Sequence, residues 1–367
     1  MIGALKNDDA SMSDINIVKQ EHFPSDTISS ITWAPSTSVR MFSASSWDSK
    51  IRIYDTVIQS MQEKGLVQKA CFDVEDPCLS TNWSEDLSKL FAGCVNNTVK
   101  AFDLNTGQSA NVGQHDGGVK SVYWISSANT LCTLSFDKTI RFWDLRQQNP
   151  VAGFNLGLKV YCSDFYAPNI VVGLADEKIL LVNLPNIQNM LGKNQLDYVD
   201  SPLGKDSQLT AIEFFADGSG IGLASHDGRA NLSKFDQDQM GRVKLTNVMT
   251  FKCHKVDQGQ GNQQQQMLYP VHAIGFHPKS KNFVYTAGGE GNMFFWDYGA
   301  KNKITGFSYK GVPITRAKMS PDGMLLAYSL GYDWAKGIEG YMSHKPKICC
   351  HIMQENELVY TGSANGK

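Results

Sequence analysis

The sequence predicts an all-β fold in the form of a seven-bladed β-propeller. Two observations predict it: a strand–turn–strand unit recurs along the chain, and most copies follow another strand that ends in a turn signal. The clearest copy runs from Ser135 to Asp144, with a tight turn at Asp137 and Lys138 and a half-buried strand leading to Trp143. The 367 residues, 42% of them hydrophobic, are enough for one large ring without a division into domains.

Six copies of the unit are visible in the sequence. They end at Asp55, Asp103, Asp144, Asn183, Lys234 and Asp297. Most intervals are close to the about 40–45 residues of one blade in a WD-repeat propeller, and the two longest predict inserted loops. A seventh unit begins at Met324, after a turn at Asp322 and Gly323. The predicted fold is therefore a WD-repeat propeller that accounts for nearly the whole chain.

The two ends of the chain are expected to close the ring. A propeller protects its strand edges only if its first and last blades are joined. We predict Ile15–Lys19 as the outer strand of the last blade, next to the strand around Lys347–Met353. The expected organisation is a flexible N-terminal tail over 1–13, the propeller over 14–355 with a polar loop at 257–266, and a C-terminal tail over 356–367.

Four polar side chains of the third blade are predicted to form a buried structural tetrad. His115 would bond the carboxylate of Asp137 and the hydroxyl of Ser135, and that hydroxyl would accept the indole N–H of Trp143. A core tolerates such a set only when every member is paired. The same residue types occur in hydrolase triads, but the recurrence of the unit favours the structural interpretation.

Composition and motifs argue against an enzyme, a metal site or a membrane protein. The net charge of −2 implies no bulk attraction to nucleic acid or lipid. No apolar run approaches the length of a membrane span. The eight cysteines lack metal-ligand spacing and are expected to be reduced thiols. No phosphate loop, nucleophile elbow or zinc signature occurs, so we expect no catalytic residues, cofactor or metal.

Two stretches stand out as candidate binding residues. Phe251–Lys255 alternates so that Lys252 and His254 would share one face of a strand, which is either an ordinary wet face or a recognition edge at the rim. Arg229 follows a turn and begins a strand near the central axis. It is either a solvated turn residue or a bidentate anchor for a carboxylate of a partner.

Five motifs occur in order along the chain. They are Ser43–Asp55, Phe251–His254, Tyr269–Pro278, Thr286–Asp297 and Tyr332–Gly337. Together they resemble the messenger-RNA export factors of the nuclear pore, a WD-repeat family of the Rae/Gle type, over about the whole chain. The first two motifs are shared with spindle-checkpoint propellers of the Bub type, whereas the fifth resembles the last blade of the export family.

The resemblance implies a non-enzymatic adaptor in messenger-RNA export. Members of the family bind the GLEBS segment of a Phe-Gly nucleoporin across the top face, and that segment offers glutamates. Arg229 matches the carboxylate-binding arginine of the family. Phe251, Trp296 and Asp297 match a neighbouring rim that contacts nucleic acid or a viral mimic of it. Lys301 stands in the same rim, where the family tends to be more basic.

The resemblance also implies the partners and the location. The candidate partner-binding residues are Arg229, Phe251, Lys252, His254, Trp296, Asp297 and Lys301. We expect a monomer that binds a GLEBS-containing nucleoporin and, weakly, single-stranded RNA, in the nucleus at the nuclear pore with a further cytoplasmic pool. The alternative is a spindle-checkpoint scaffold that binds GLEBS-bearing kinetochore proteins.

Overall fold

The first strands of seven sheets contact one another in a closed ring around a central channel. The predicted seven-bladed propeller is thereby confirmed. The structure is a computed structural model that describes residues 6–7, 14–60, 63–187, 196–258, 265–340 and 345–359. No helix in these ranges is long and apolar enough to cross a membrane.

Two short strands precede the first blade, β1 (Lys6–Asn7) and β2 (Asp14–Asn16). From the channel outward, blade one contains β3 (Ile28–Trp33), β4 (Met41–Ser46), β5 (Lys50–Ile58) and β6 (Lys64–Asp73). Blade two contains β7 (Cys78–Trp83), β8 (Lys89–Cys94), β9 (Thr98–Asp103) and β10 (Ser109–Gln114). Blade three contains β11 (Val119–Ile125), β12 (Thr130–Ser135), β13 (Thr139–Trp143) and β14 (Ala152–Asn155).

The remaining blades follow the same order. Blade four contains β15 (Val160–Tyr166), β16 (Asn169–Leu174), β17 (Lys178–Asn183) and β18 (Val199–Asp200). Blade five contains β19 (Leu209–Phe214), β20 (Gly220–Ser225), β21 (Arg229–Gln237) and β22 (Val243–Lys252), followed by the hairpin β23 (Lys255–Gln258) and β24 (Gln265–Leu268). Blade six contains β25 (Val271–Phe276), β26 (Phe283–Gly288), β27 (Asn292–Asp297) and β28 (Asn302–Ser308).

Blade seven combines the two ends of the chain. It contains β29 (Ile314–Met319), β30 (Leu325–Leu330), β31 (Lys347–Ile352) and, as its outer strand, β2. Short 3-10 turns occur at Gln20–His22, Ser126–Ala128, Leu184–Asn186, Gly337–Gly340 and Glu355–Glu357. The predicted closure by an N-terminal strand is therefore present, with Ile15 opposite Cys350.

The closing strand is shorter than predicted because the chain changes blades within it. Pairing with β31 ends at Asn16, and Ile17 instead bridges Leu66 of blade one in parallel. The side chains of Ile15 and Ile17 are both buried in a cluster that includes residues of blades seven and one. The segment thus holds the first and last blades together by backbone pairing and by apolar contact.

Three boundaries differ from the predicted domains. Lys6–Asn7 pairs in parallel with β28 and adds a fifth strand to blade six, inside the predicted N-terminal tail. Glu357 is buried, so ordered packing extends past residue 355 into the predicted C-terminal tail. The two ends of the predicted 257–266 loop form the hairpin β23–β24, and residues 259–264 of that loop lie outside the described residues.

The prediction of eight reduced cysteines is also corrected. Cys78 and Cys94 lie directly opposite each other in β7 and β8 and are joined by a disulfide. The other six cysteines are free, and Cys71 is the exposed one among them.

The buried polar chain of blade three uses a different hydroxyl from the predicted one. The imidazole of His115 lies 2.9 Å from Asp137 through Nδ1 and 2.7 Å from the Thr133 hydroxyl through Nε2. Trp143 donates its indole N–H to the same hydroxyl at 2.8 Å. Ser135, the predicted member, instead donates to the carbonyls of Gly117 and Gly118 and lies outside this chain of bonds. The set is His115, Thr133, Asp137 and Trp143.

Candidate functional site

The two ends of the propeller carry different turns. We call upper face the end with the turns between second and third strands, among them 47–49 and 226–228, and lower face the end with the turns between third and fourth strands, among them 298–301. Each inner strand starts at the upper face because neighbouring strands are antiparallel. This distinction decides which predicted residues can act together.

The seven predicted partner-binding residues do not form one site. Arg229 and Lys252 are register partners at the upper ends of β21 and β22, and Phe251 precedes Lys252. Asp297 and Lys301 lie at the lower end of blade six, where β27 turns into β28. The Asp297 carboxylate accepts the N–H groups of the two residues at 299 and 300 and thereby holds that turn.

Arg229 lies at the upper face with its guanidinium already oriented. Its Nε donates to Asp227 at 2.6 Å, and its Nη2 donates to Ser207 and to Asp227. The side chain remains 30% exposed. Burial works against ionisation of Asp227, but hydrogen bonds from Arg229 and Ser225 outweigh it and hold the pKa of that carboxyl below its usual value. Nη1 bonds no described residue and is the nitrogen that a partner carboxylate would meet.

His254 is not part of an exposed edge. β22 ends at Lys252, and the next two N–H groups, of Cys253 and His254, both point to the Gly228 carbonyl, which turns the chain inward. The His254 ring is fully buried, and its Nδ1 lies 2.6 Å from Glu290. The prediction that His254 shares an exposed face with Lys252 is therefore wrong, because the strand and its alternation end at Lys252, two residues before His254.

Blade six repeats the polar set of blade three with one acidic replacement. Glu290 takes the place of the turn aspartate, and Trp296 donates its indole N–H to the Thr286 hydroxyl at 3.0 Å. His254 completes the set. The Nε2 of His254 and the Oε2 of Glu290 have no hydrogen-bond partner among the described residues. Glu290 and His254 therefore make fewer hydrogen bonds in blade six than Asp137 and His115 make in blade three.

An aromatic group links blades five and six. Phe251 packs on Trp296 with ring centroids 4.8 Å apart, and Trp296 meets Phe294 edge-on at 5.8 Å. The ammonium of Lys303 lies 4.9 Å from the Phe294 ring, and its partial burial lowers the pKa of that lysine. Lys301 instead occupies an exposed turn with a left-handed backbone, φ 56°. The basic neighbour of the predicted aromatic rim is therefore Lys303, which the sequence patterns did not single out.

A cleft of about 500 Å³ opens on the upper face between blades one and seven. Two tryptophans on its walls are unusually exposed, Trp47 at 45% and Trp334 at 49%. Within it, His272 Nε2 lies 3.0 Å from Asp333. Burial raises and the His272 hydrogen bond lowers the pKa of Asp333, and the net effect is a decrease. The sequence does contain a signal for this cleft. Trp47 and Trp334 both lie outside the strands, where a large aromatic side chain cannot pack into the core of a blade.

The upper face presents groups that are suited to binding. Exposed aromatic rings and a guanidinium lie on one face of a rigid ring, which is how propellers present surfaces to macromolecules. Among the residues that the structure describes, no three His, Cys, Asp or Glu side chains cluster as metal ligands. The fold defines a WD-repeat propeller, and its function must be argued from the residues on its surface.

Comparison with known proteins gives the family. The WD domain, G-beta repeat family matches residues 16–55 and 108–144. The chain is 32% identical to the Poly(A)+ RNA export protein of Schizosaccharomyces pombe, over 91% of this chain and 90% of that protein. It is 32% identical to Protein Rae1 of Drosophila melanogaster, over 95% and 96%, and 31% identical to mRNA export factor GLE2 of Chaetomium thermophilum, over 97% and 93%. The chain belongs to the Rae1/Gle2 family of WD-repeat messenger-RNA export factors.

A structural comparison agrees on the fold. The structure of U3-55K superimposes with a TM-score of 0.70 over 93% of this chain and 98% of that one, at 12% identity. At this identity the likeness concerns the propeller alone.

Proposed function

We propose that this protein is an adaptor without catalytic activity that serves messenger-RNA export at the nuclear pore. It binds the GLEBS segment of a Phe-Gly nucleoporin across its upper face, and it does so as a monomer. Membership of the export-factor family supports the export role. Binding of the nucleoporin segment is supported by two features of the upper face, the oriented guanidinium of Arg229 and the Trp47–Trp334 cleft.

The observation that carries the proposal is the oriented guanidinium of Arg229. Asp227 and Ser207 fix its direction, so little side-chain entropy is lost when a glutamate of the segment binds. A charge-assisted pair between a guanidinium and a carboxylate is among the stronger polar contacts. The Trp47–Trp334 cleft on the same face offers apolar surface for the rest of the segment.

Weak binding of single-stranded RNA is the second part of the proposal. Its support is the aromatic group of Phe251, Phe294 and Trp296 with Lys303 beside it. Such a set can stack bases and neutralise phosphates without reading their order. We place the protein in the nucleus at the pore, with a further cytoplasmic pool.

The test is calorimetric titration of a GLEBS peptide against the full chain and its variants. Arg229→Glu should abolish measurable binding, because breaking a desolvated charge pair costs about 2–5 kcal/mol. Arg229→Lys should lose part of the affinity, since an ammonium cannot reproduce the planar fork.

Arg242→Glu is the matched control. Arg242 also pairs with an aspartate, Asp238 at 2.8 Å, but it lies at the lower end of blade five. It should bind the peptide like wild type. Circular dichroism checks that each variant is folded. Equal peptide affinity for wild type and a folded Arg229→Glu would refute the proposed site.

A further inference from the structure

The central channel carries charged side chains at two levels. It forms a cavity of about 340 Å³ lined by the seven inner strands, all of which the structure describes. Lys120 is the second residue of β11 and Arg316 the third of β29, so both lie near the upper face. Asp164, Glu213 and Lys318 each stand fifth in their strands and lie deeper.

The deeper level is neutralised within itself. Lys318 places its ammonium 2.7 Å from Glu213 and 3.9 Å from Asp164. Asp164 also accepts the N–H of Phe214 at 2.9 Å. Both carboxylates are therefore already paired with Lys318. Asp164 and Glu213 are the two carboxylates in the lining of the cavity, so the lining offers no further carboxylate to the upper level.

The upper level has cations without a counter-ion. Arg316 donates to two neutral carbonyl oxygens, those of Ser29 and Thr315. Lys120 makes no hydrogen bond or ion pair with any described residue, although it is half-buried. A register shift lies at the second residue of every inner strand, and Lys120 occupies it in β11. Bulges of this kind redirect a side chain, and Lys120 accordingly lines the channel.

Two cations that face the same cavity, shielded from bulk water, are unfavourable unless something compensates them. Burial and the nearby charge of Arg316 lower the pKa of Lys120 to about 8. Burial also lowers the pKa of Arg316. Ser30 and Ser80 add hydroxyl groups to the same lining. The charges and donors of this level match an anion that carries more than one negative charge and several acceptor oxygens.

We propose that the upper level of the channel binds a small free phosphate compound between Lys120 and Arg316. This site adjoins the Trp47–Trp334 cleft, because Arg316 lines both, but the channel lining does not include Arg229, the proposed peptide anchor. A free compound fits better than a phosphorylated side chain of a long segment, because both cations belong to the channel wall rather than to an exposed turn. The cavity is of the size that small-molecule sites occupy, about 300–1,000 Å³.

Calorimetric titration of the full chain with pyrophosphate tests the site. We expect saturable binding at one site per chain. Lys120→Met should weaken it at least tenfold, and Arg316→Met should do the same. Lys244→Met is the matched control, because Lys244 is an exposed lysine on the outer strand β22 and should leave the affinity unchanged.

The outcomes separate this site from Arg229, the proposed peptide anchor. Arg229→Glu, which removes the proposed peptide anchor, should bind pyrophosphate like wild type. No saturable binding, or equal affinity for wild type and Lys120→Met, would overturn the proposal. So would loss of pyrophosphate binding in Arg229→Glu alone. If Arg316→Met fails to fold because its carbonyl contacts are lost, Lys120→Met decides the question by itself.

Discussion

Thr133 satisfies two buried groups with one hydroxyl. Burial works against ionisation of Asp137, but hydrogen bonds from Thr139, Asp116 N–H and His115 lower its pKa to about 2, and burial lowers the pKa of His115. A neutral His115 then donates from Nδ1 to the carboxylate and accepts the Thr133 proton at Nε2. The oxygen of Thr133 remains free to accept the indole N–H. Each donor in this chain therefore has one acceptor.

Removal of that hydroxyl should destabilise the propeller. Thr133→Val keeps the side-chain shape but leaves His115 Nε2 and the Trp143 indole unpaired. Each buried group without a partner costs about 1–3 kcal/mol, so the free energy of unfolding should fall by at least about 2 kcal/mol. Urea denaturation measures it. Thr130→Val on the same strand, where the hydroxyl is at the surface, should change stability by less than about 0.5 kcal/mol. Equal losses in the two variants would contradict this account.

The sequence pattern predicted on which side of strand β12 the bonding hydroxyl lies, but not which residue on that side carries it. Thr133 and Ser135 project from the same side of β12, since strand side chains alternate with period two. The pairing register between β12 and β13 decides which of the two hydroxyls lies within hydrogen-bond distance of His115 and of the Trp143 indole. Spacing along the sequence does not contain that register.

At the level of elements, the β22–β27–β28 group should bind RNA weakly and mainly through charge. Lys303→Ala removes one candidate phosphate contact next to the aromatic rings, so the dependence of log affinity on log salt should become shallower by about 0.7 for a single strand. Fluorescence anisotropy of a labelled single-stranded oligonucleotide over a salt series measures this slope.

Lys244→Ala, on strand β22 of blade five, should retain the wild-type slope, because Lys244 lies at the opposite end of that strand from Phe251 and pairs with Asp236. Tight RNA binding that persists above physiological salt would contradict a site of this kind. So would an unchanged slope in Lys303→Ala.

The sequence predicts that a strand exists better than it predicts where the strand ends. The existence of β22 follows from its sequence pattern. Its end at Lys252 follows from hydrogen bonds to the carbonyl of Gly228, which lies in the turn between β20 and β21. His254 was misplaced for that reason. Lys303 was missed because the alignment of β28 with β27 contains an irregularity at Trp296, which brings Lys303 opposite the indole.

For the molecule as a whole, closure depends on one buried cluster. Asp14 of β2 accepts hydrogen bonds from Tyr309 at 2.6 Å and Tyr328 at 2.7 Å, and it lies 2.9 Å from His351. The other nitrogen of His351 lies 2.9 Å from Glu357. Burial alone would lower the pKa of His351, but the hydrogen bonds that it donates to these two carboxylates raise it to about 9. The imidazolium therefore bridges strand β2 to the chain beyond β31.

This pKa predicts that closure weakens at alkaline pH. The raised value makes the folded state hold a proton that the unfolded state loses near its ordinary pKa of 6.5. The contribution of His351 is thus complete below about pH 6.5 and is lost as the pH rises to about 9, a change of about 3 kcal/mol. Urea denaturation at several pH values should show wild type losing more stability over this range than His351→Gln.

His226→Gln is the control, since His226 is an exposed turn residue on the upper face and should keep the wild-type pH dependence. Asp14→Asn provides a second variant of the closure and should also flatten the profile. Identical pH profiles for wild type and both closure variants would refute the assignment.

The ring architecture could be predicted from the sequence because each blade repeats the same local signals. The N-terminal strand was identified on the ground that a ring needs closure. The contribution of Glu357 was not, since nothing in a short acidic segment indicates that it bonds His351 from six residues away. The channel cations were also missed, because Lys120 and Arg316 belong to different blades and meet only when the ring is formed.

Closure by β2 also sets an order of events during protein synthesis. β2 leaves the ribosome about 330 residues before its partner β31 is made. At about 5–20 residues per second, on the order of 15 to 70 s separate the two. During that time Asp14–Asn16 has no partner strand, and the first six blades cannot yet form a closed ring. A messenger truncated before the codons of β31 would leave the ring unclosed, with strand edges that other chains can pair with.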